Sequence, residues 1–358
     1  MMENPTWHKI HPAFQLNKAS YSVGGLEKFA EELVEEGQPF QKSIGEFLLD
    51  WTSQKSTVQV QTSGSTGKPK TIVLKKEHMV NSALATGEYF RLKPEQRALL
   101  CLPCTGIAGK MMLVRAMVLG LHLDMAEPSS SPLKDTDNIY DFVAMVPLQV
   151  QNSIHQLDRV GQIIIGGAPV DSNLRNELSK LPVRAYETYG MTETITHIAV
   201  KKIDGKNVNP FETLPDVSVS QDDRGCLVID APKISDSNII TNDVVELISK
   251  NQFHWLGRHD SIINSGGIKL IPERIEQKLS TLIEPRFFVA GLPDNRLGKK
   301  LVLVMECGPM DEEGLLKTIK ALEGISKYEV PKQVYFVRSF VETSTRKVDR
   351  KKTLEQIG

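Results

Sequence analysis

Residues 58–60 and 71–74 are rich in β-branched positions and bracket a loop of Gly, Ser and Thr. Apolar positions then recur at near-helical spacing, and Met79, Ala83 and Phe90 mark a helix over Lys76–Phe90. Residues 97–102 read as a strand, 109–119 as a helix and 121–126 as a strand. The runs 141–146 (DFVAMV) and 162–165 (QIII) are apolar without alternation, the pattern of strands buried on both faces. A helix is predicted after each, over 148–157 and 171–181, with Asp171 as the N-cap of the second. Strand and helix in alternation predict an α/β domain on a mostly parallel sheet.

The pattern changes after about Thr196. Shorter β segments take over, with turn signals at Asp222-Asp223-Arg224-Gly225 and Ser249-Lys250-Asn251. Near Gly257 it changes again. Helices are predicted over 272–282 and 312–322, and strands over 287–290, 300–305 and Gln333–Val337. The expected organisation is α/β. A large N-terminal domain, 1–257, carries mainly parallel sheet with helices and a β subdomain at about 197–257. A small α+β domain, 258–358, follows. The tail, 345–352, reads as basic without an apolar face.

Composition narrows the function classes. The 358 residues carry 43 Lys and Arg against 44 Asp and Glu, so no bulk positive charge speaks for nucleic acid. A hydrophobic share of 40% and a charged share of 24% exclude a disordered chain. No apolar run approaches the roughly 18–20 residues of a membrane-spanning helix, and residues 1–14 lack a signal-peptide core. A cytoplasmic location is the expectation. Cys101 and Cys104 form a lone C-x-x-C with no second pair for zinc, so these thiols are expected to be buried and inert, and Cys226 and Cys307 fit a reducing compartment.

The chemistry starts at Thr62-Ser63-Gly64-Ser65-Thr66-Gly67-Lys68-Pro69-Lys70. Hydroxyls, backbone N–H groups and cations in one Gly-rich loop can wrap a phosphate chain. The loop has neither the Walker A spacing nor G-x-G-x-x-G.

This loop resembles the phosphate-binding signature of the adenylate-forming ligases, which include acyl-CoA synthetases, peptide-synthetase adenylation domains and luciferases. Further segments follow in the family's order. Gly166-Gly167-Ala168-Pro169 resembles its adenine-pocket turn, and Tyr189-Gly190-Met191-Thr192-Glu193 is similar to its Y-G-x-T-E motif. The stretch 257–276, with Arg258, Asp260, Gly266 and Gly267, looks like its hinge and C-domain entry. Residues 343–350 resemble its terminal lysine motif, with Arg346 where a glycine is usual before Lys347.

The resemblance implies a two-step reaction with ATP, Mg²⁺ and, as co-substrate, coenzyme A. The loop through Lys68 and Lys70 would hold phosphates, and Thr192 would bond the α-phosphate. Glu193, with Thr66, would bind Mg²⁺. Tyr189, beside Gly190 and Met191, would stack on adenine. Asp243 would accept from the ribose hydroxyls with help from Arg258, although Asn242 stands where the family has glycine. Lys347 would act as the catalytic cation. Asp260 would be the hinge of a mobile C-terminal domain, with Gly266 and Gly267 facing the pantetheine arm.

The phosphate loop begins near residue 62, which is early for this family. A compact form occurs among o-succinylbenzoate-CoA ligases, and the sequence looks most like that branch. The acid pocket would be lined by residues 103–110 (Thr105, Gly106 and Lys110 among them), Gln149, Ser153 and residues 166–168. Lys110 and Arg115 are candidates for the acid's second carboxylate. A different aryl or short-chain acid, a carrier-protein acceptor and a catalytically impaired nucleotide-binding homologue stay open. A shortened N-terminus would leave surface for a homodimer to cover.

Overall fold

The computed structural model describes residues 6–61, 70–205, 209–342 and 348–357. The chain divides into two units. The first holds residues 1–220, 228–239 and 248–253; the second holds 221–227, 240–247 and 254–358. The boundary thus runs through the short strands between residues 218 and 258.

In the first unit the strand order is Phe211–Thr213, His197–Lys202, Arg184–Gly190, Val160–Ile165, Tyr140–Met145, Arg97–Leu100, His122–Met125, Gln15–Leu16 and Ala19–Ser20. From Arg184–Gly190 to Gln15–Leu16 every neighbouring pair is parallel. His197–Lys202 and Phe211–Thr213 then continue the sheet antiparallel. Tyr140–Met145 and Val160–Ile165 are buried on both faces, as their unbroken apolar runs require. On one face Val143, Met145, Ile163, Ile165, Leu174 and Leu178 share a core. The fold is α/β, as the alternation predicts.

Helix Lys76–Phe90 has the predicted bounds. Asp171 caps Ser172–Leu178 by accepting from the Leu174 N–H at 2.8 Å. The segment predicted as one helix over 148–157 is instead an α-turn, Pro147–Asn152, and a 3₁₀ segment, Ile154–Arg159. Ser153 breaks it with a ψ of 14°. Two helices not anticipated from the pattern, Val23–Glu36 and Pro39–Thr52, pack against each other. The second is capped at its C-terminus by buried Lys76, whose ammonium donates to the Trp51 and Ser53 carbonyls at 2.9 and 3.0 Å.

The second unit carries its own sheet, ordered Ile268–Leu270, Ile263–Ser265, Gly298–Glu306 and Phe287–Asp294, with Gln333–Val337 parallel to Gly298–Glu306. Gly298–Glu306 alternates faces. Leu301, Leu303 and Met305 pack with Ile275, Leu279 and Ile319 of helices Pro272–Leu279 and Glu312–Ala321. Val302 and Val304 face the opposite core with Phe288 and Phe340. Within the described part of the basic tail Val348 packs against that second core, as Leu354 and Ile357 do beyond it, and Arg350 of the helix Arg350–Leu354 pairs bidentately with Glu276 at 2.8 Å.

Candidate functional site

Strands Thr57–Gln61 and Thr71–Lys75 form an antiparallel pair with Gln61 opposite Thr71. The Gly/Ser/Thr segment joins these two strands in sequence, and Thr62, Ser63, Gly64, Ser65, Thr66, Gly67, Lys68 and Pro69 lie outside the described residues. Lys70, next to Thr71, is exposed.

The parallel sheet brings distant segments to one end. Thr105 and Gly106 follow strand Arg97–Leu100, Val146 follows Tyr140–Met145, Gly166 follows Val160–Ile165, and Tyr189 closes Arg184–Gly190. All leave the C-terminal ends of adjacent parallel strands, where open α/β sheets bind ligands. Gly167, Ala168 and Pro169 are exposed there.

The segment after Tyr189 is shaped by backbone strain. Thr192–Thr194 is one 3₁₀ turn. Ile195 then adopts φ 64° and ψ −63°, and the Thr196 N–H donates to the Thr194 carbonyl at 2.7 Å. This is a γ-turn of the strained hand, rare for a β-branched residue. It persists because the Ile195 side chain is buried and the Thr194 hydroxyl accepts from the Met191 N–H at 2.9 Å. The turn leaves Glu193 exposed and Thr192 half-buried. Gly190 is obligatory beside it, because a Cβ would run into the Thr196 carbonyl and the His197 backbone.

Tyr189 sits among aromatic rings, 5.8 Å from Phe211 and 5.2 Å from Phe253 between centroids. The Lys201 ammonium lies 4.6 Å over the Phe211 ring and 2.7 Å from buried Glu187. Glu187 also accepts from Arg175 at 2.9 Å and from the Val170 N–H at 3.3 Å. One carboxylate thus ties the strand that carries Tyr189 to the end of the 166–169 turn. Burial pushes the Glu187 carboxyl up, but Lys201 and Arg175 more than reverse this and hold it below the usual range.

A family model described as AMP-binding enzyme matches residues 28–220. The chain belongs to the AMP-binding enzyme family. A solved acyl-CoA synthetase (AMP-forming)/AMP-acid ligase II-like protein from Dyadobacter fermentans is 37% identical. The match covers 93% of this chain and 98% of that one, with a TM-score of 0.61. A 2-succinylbenzoate–CoA ligase from Bacillus cytotoxicus is 24% identical over 341 residues, 82% of this chain and 68% of the relative. The o-succinylbenzoate CoA synthetase of Bacillus subtilis, solved with its acyl-adenylate intermediate, has a TM-score of 0.73 at 17% identity. That match covers 94% of this chain and 81% of the other. The last likeness is one of fold.

In this AMP-binding enzyme the two candidate cations of helix Ile107–Leu119 do not converge. Lys110 lies 4.8 Å over the Phe47 ring of helix Pro39–Thr52, and burial lowers its pKa. Arg115 points into the protein and is 1% exposed. Its Nε is 3.4 Å from the Thr86 hydroxyl, and its Nη2 is 3.4 Å from both the Thr196 hydroxyl and His197 Nδ1. Every one of these partners is neutral. Burial holds the His197 pKa well below its ordinary value, and Arg115 lowers it further, so the imidazole is neutral at pH 7 and Nδ1 accepts. Burial alone pulls Arg115 down to about 9, so it keeps its proton at pH 7. Among the described residues no carboxylate pairs with it. Gln149 is occupied structurally, donating to the Cys101 and Ser129 carbonyls at 3.0 and 2.8 Å. Ser153 is buried, and its hydroxyl has no partner among the described residues. Burial pushes the Cys101 and Cys104 thiols up to about 12, which suits inert packing groups.

Asp243, Arg258, Asp260, Gly266 and Gly267 belong to the second unit. Asp243 is buried on strand Ile239–Ser249. Thr241 and Asn242, just before it on the same strand, are held by Arg224, which donates to the Asn242 side chain at 2.9 Å and the Thr241 carbonyl at 3.0 Å. Arg258 reaches Asp243 Oδ1 at 3.5 Å and Asp260 Oδ1 at 3.1 Å. Its hydrogen bonds hold the Asp260 carboxyl below the usual range. Gly266 and Gly267 have φ of 57° and 82°. Lys347 lies outside the described residues.

No group of three or more His, Cys, Asp or Glu able to hold a metal occurs among the described residues. One exposed carboxylate, Glu193, at the ligand end of the sheet fits Mg²⁺, which takes one or two carboxylates and fills its shell with phosphate oxygens and water. Among the described residues no helix is long and apolar enough to cross a membrane.

Sequence reading missed Glu187, His197 and the Ile195 turn.

Proposed function

We propose that this chain activates a carboxylic acid bearing a second carboxylate, o-succinylbenzoate, and transfers its acyl group to coenzyme A. The observation that carries this reading is Arg115, a buried guanidinium whose described partners are all neutral. A buried charge left uncompensated is costly, and an anionic ligand group relieves it. The names of the relatives point to the same acid.

In the first step a carboxylate oxygen of the acid attacks the α-phosphorus of ATP. The bond to the bridging oxygen breaks, and pyrophosphate leaves. Attack by an anion on a polyanion needs positive charge at the phosphates. Lys68, Lys70 and Lys347 supply it, Thr192 donates to the α-phosphate, and Glu193 with Thr66 would hold Mg²⁺, which would supply further charge screening. Tyr189 and residues 166–169 hold adenine, and Asp243 with Arg258 holds the ribose. In the second step the thiol of coenzyme A attacks the acyl carbon, loses its proton, and AMP departs. Residues 258–358 turn about Asp260 between the steps, bringing Gly266 and Gly267 to the pantetheine arm.

The test is pyrophosphate release with ATP, Mg²⁺ and a panel of acids, followed by thioester formation with coenzyme A. o-Succinylbenzoate is expected to exceed benzoate and short-chain monoacids. Release with benzoates but not with o-succinylbenzoate overturns the substrate. No release with any acid overturns the activity.

A further inference from the structure

Asp243 stands on one strand and Trp255 on its hydrogen-bonded neighbour, Gln252–Arg258. The Trp255 indole N–H donates to Asp243 Oδ1 at 3.2 Å, and Arg258 approaches the same oxygen at 3.5 Å. Residues 255 and 258 are three apart, so on a regular strand their side chains would leave from opposite faces. Gly257 lies between them with φ 152°, a departure from ordinary strand geometry. A Cβ there would run into the Glu273 carboxylate and the Ile271 side chain, so the position admits only glycine. The irregular φ thus falls between the two donors that meet one carboxylate oxygen.

We propose that Trp255 is a positioning residue for the nucleotide's ribose. It acts through Asp243, and the proposal rests on the reading that Asp243 receives the ribose hydroxyls. A carboxylate offers about four acceptor sites, so two donors on Oδ1 fix the plane of the group without exhausting its capacity. Trp255 is the more constrained of the two, because a rigid indole has only two side-chain torsions and Arg258 is shared with Asp260. The indole N–H is also neutral. It orients the carboxylate without competing for its charge as a second cation would, and so keeps it a strong acceptor for hydroxyl groups.

Pyrophosphate release is measured with ATP, 2′-deoxyATP and 3′-deoxyATP on wild type, Trp255→Phe, Trp255→His and Asp243→Asn. Wild type is expected to prefer ATP. Trp255→Phe keeps the ring but loses the donor. It should raise the KM for ATP about tenfold, the effect of losing one hydrogen bond to a charged group, with kcat little changed. It should also shrink the preference for ATP over the deoxynucleotides. Trp255→His, assayed above pH 7.5, places a neutral N–H at similar reach and should restore part of that preference. A preference ratio unchanged in Trp255→Phe overturns the proposal even if every KM rises, because general damage weakens all three nucleotides alike. A ratio unchanged in Asp243→Asn overturns the ribose reading itself, so the two failures are distinguishable.

Discussion

Two buried charges in the first unit sit in opposite circumstances. Glu187 is 10% exposed at its side chain and meets two cations and a backbone N–H. Arg115 is as deep or deeper and meets two hydroxyls, a thioether and a neutral imidazole. The fold completes the first charge and leaves the second incomplete. A charge completed by the protein holds structure together: here it fixes the 166–169 turn and the Tyr189 strand. A charge left without a counter-ion weakens the free protein and is repaid by an anionic ligand.

The sharpest way to break this contrast is Arg115→Met. Methionine has similar length and no charge. Activity toward o-succinylbenzoate should fall by about 10²-fold or more, as expected when one partner of a buried charge pair is removed. Activity toward a monoacid should change little. The melting temperature should hold or rise. A large drop in melting temperature with equal losses on both acids would make Arg115 a structural group like Glu187.

Glu187→Gln should behave in the opposite way. It strands Arg175 and Lys201 and should cost about 3 kcal/mol, read by urea or thermal unfolding, with the KM for ATP rising as the 166–169 turn loosens. The pH dependence follows from the lowered carboxyl. As pH falls, the unfolded chain takes up this proton before the folded one. The stabilisation is therefore complete above the ordinary glutamate value of about 4.3 and is lost below it as pH passes through the folded value. In Glu187→Gln that part of the acid destabilisation should disappear. An unaltered acid limb in the variant would show that the pair contributes nothing.

The smallest effect calibrates the other two. Lys317 and Glu313 form an exposed i,i+4 pair at 2.9 Å, with side chains 74% and 81% exposed. Lys317→Ala should cost no more than about 0.5 kcal/mol. A loss near that of Glu187→Gln would mean that burial is not what separates these charges.

Several of the strongest local signals in the sequence match the structure. The apolar runs 141–146 and 162–165 are parallel strands, and Asp171 caps its helix through the bond its side chain suggests. Helix Val23–Glu36 was not anticipated, although the structure places Leu26, Ala30 and Leu33 at helical spacing behind the N-cap Ser22. In the basic tail the single described apolar residue, Val348, shows no pattern in the sequence and joins a core together with Leu354 and Ile357, beyond the tail, only once the chain is folded. Of the candidate site, the sequence offered the motif residues. Their partners were not legible, since Glu187 and Trp255 lie in strands whose local pattern is unremarked.

The sequence by itself determined the α/β class, the order of the motif segments and the AMP-binding family they mark. Propensity, periodicity and short motifs act within about ten residues, and those features live at that range. Only the tertiary structure decided which charges are satisfied. Arg115 and Lys110 stand five residues apart on one helix, yet one faces hydroxyls and an imidazole in the interior and the other an aromatic ring. Compensation of a buried charge depends on which distant strands and helices close around it, a choice made by packing.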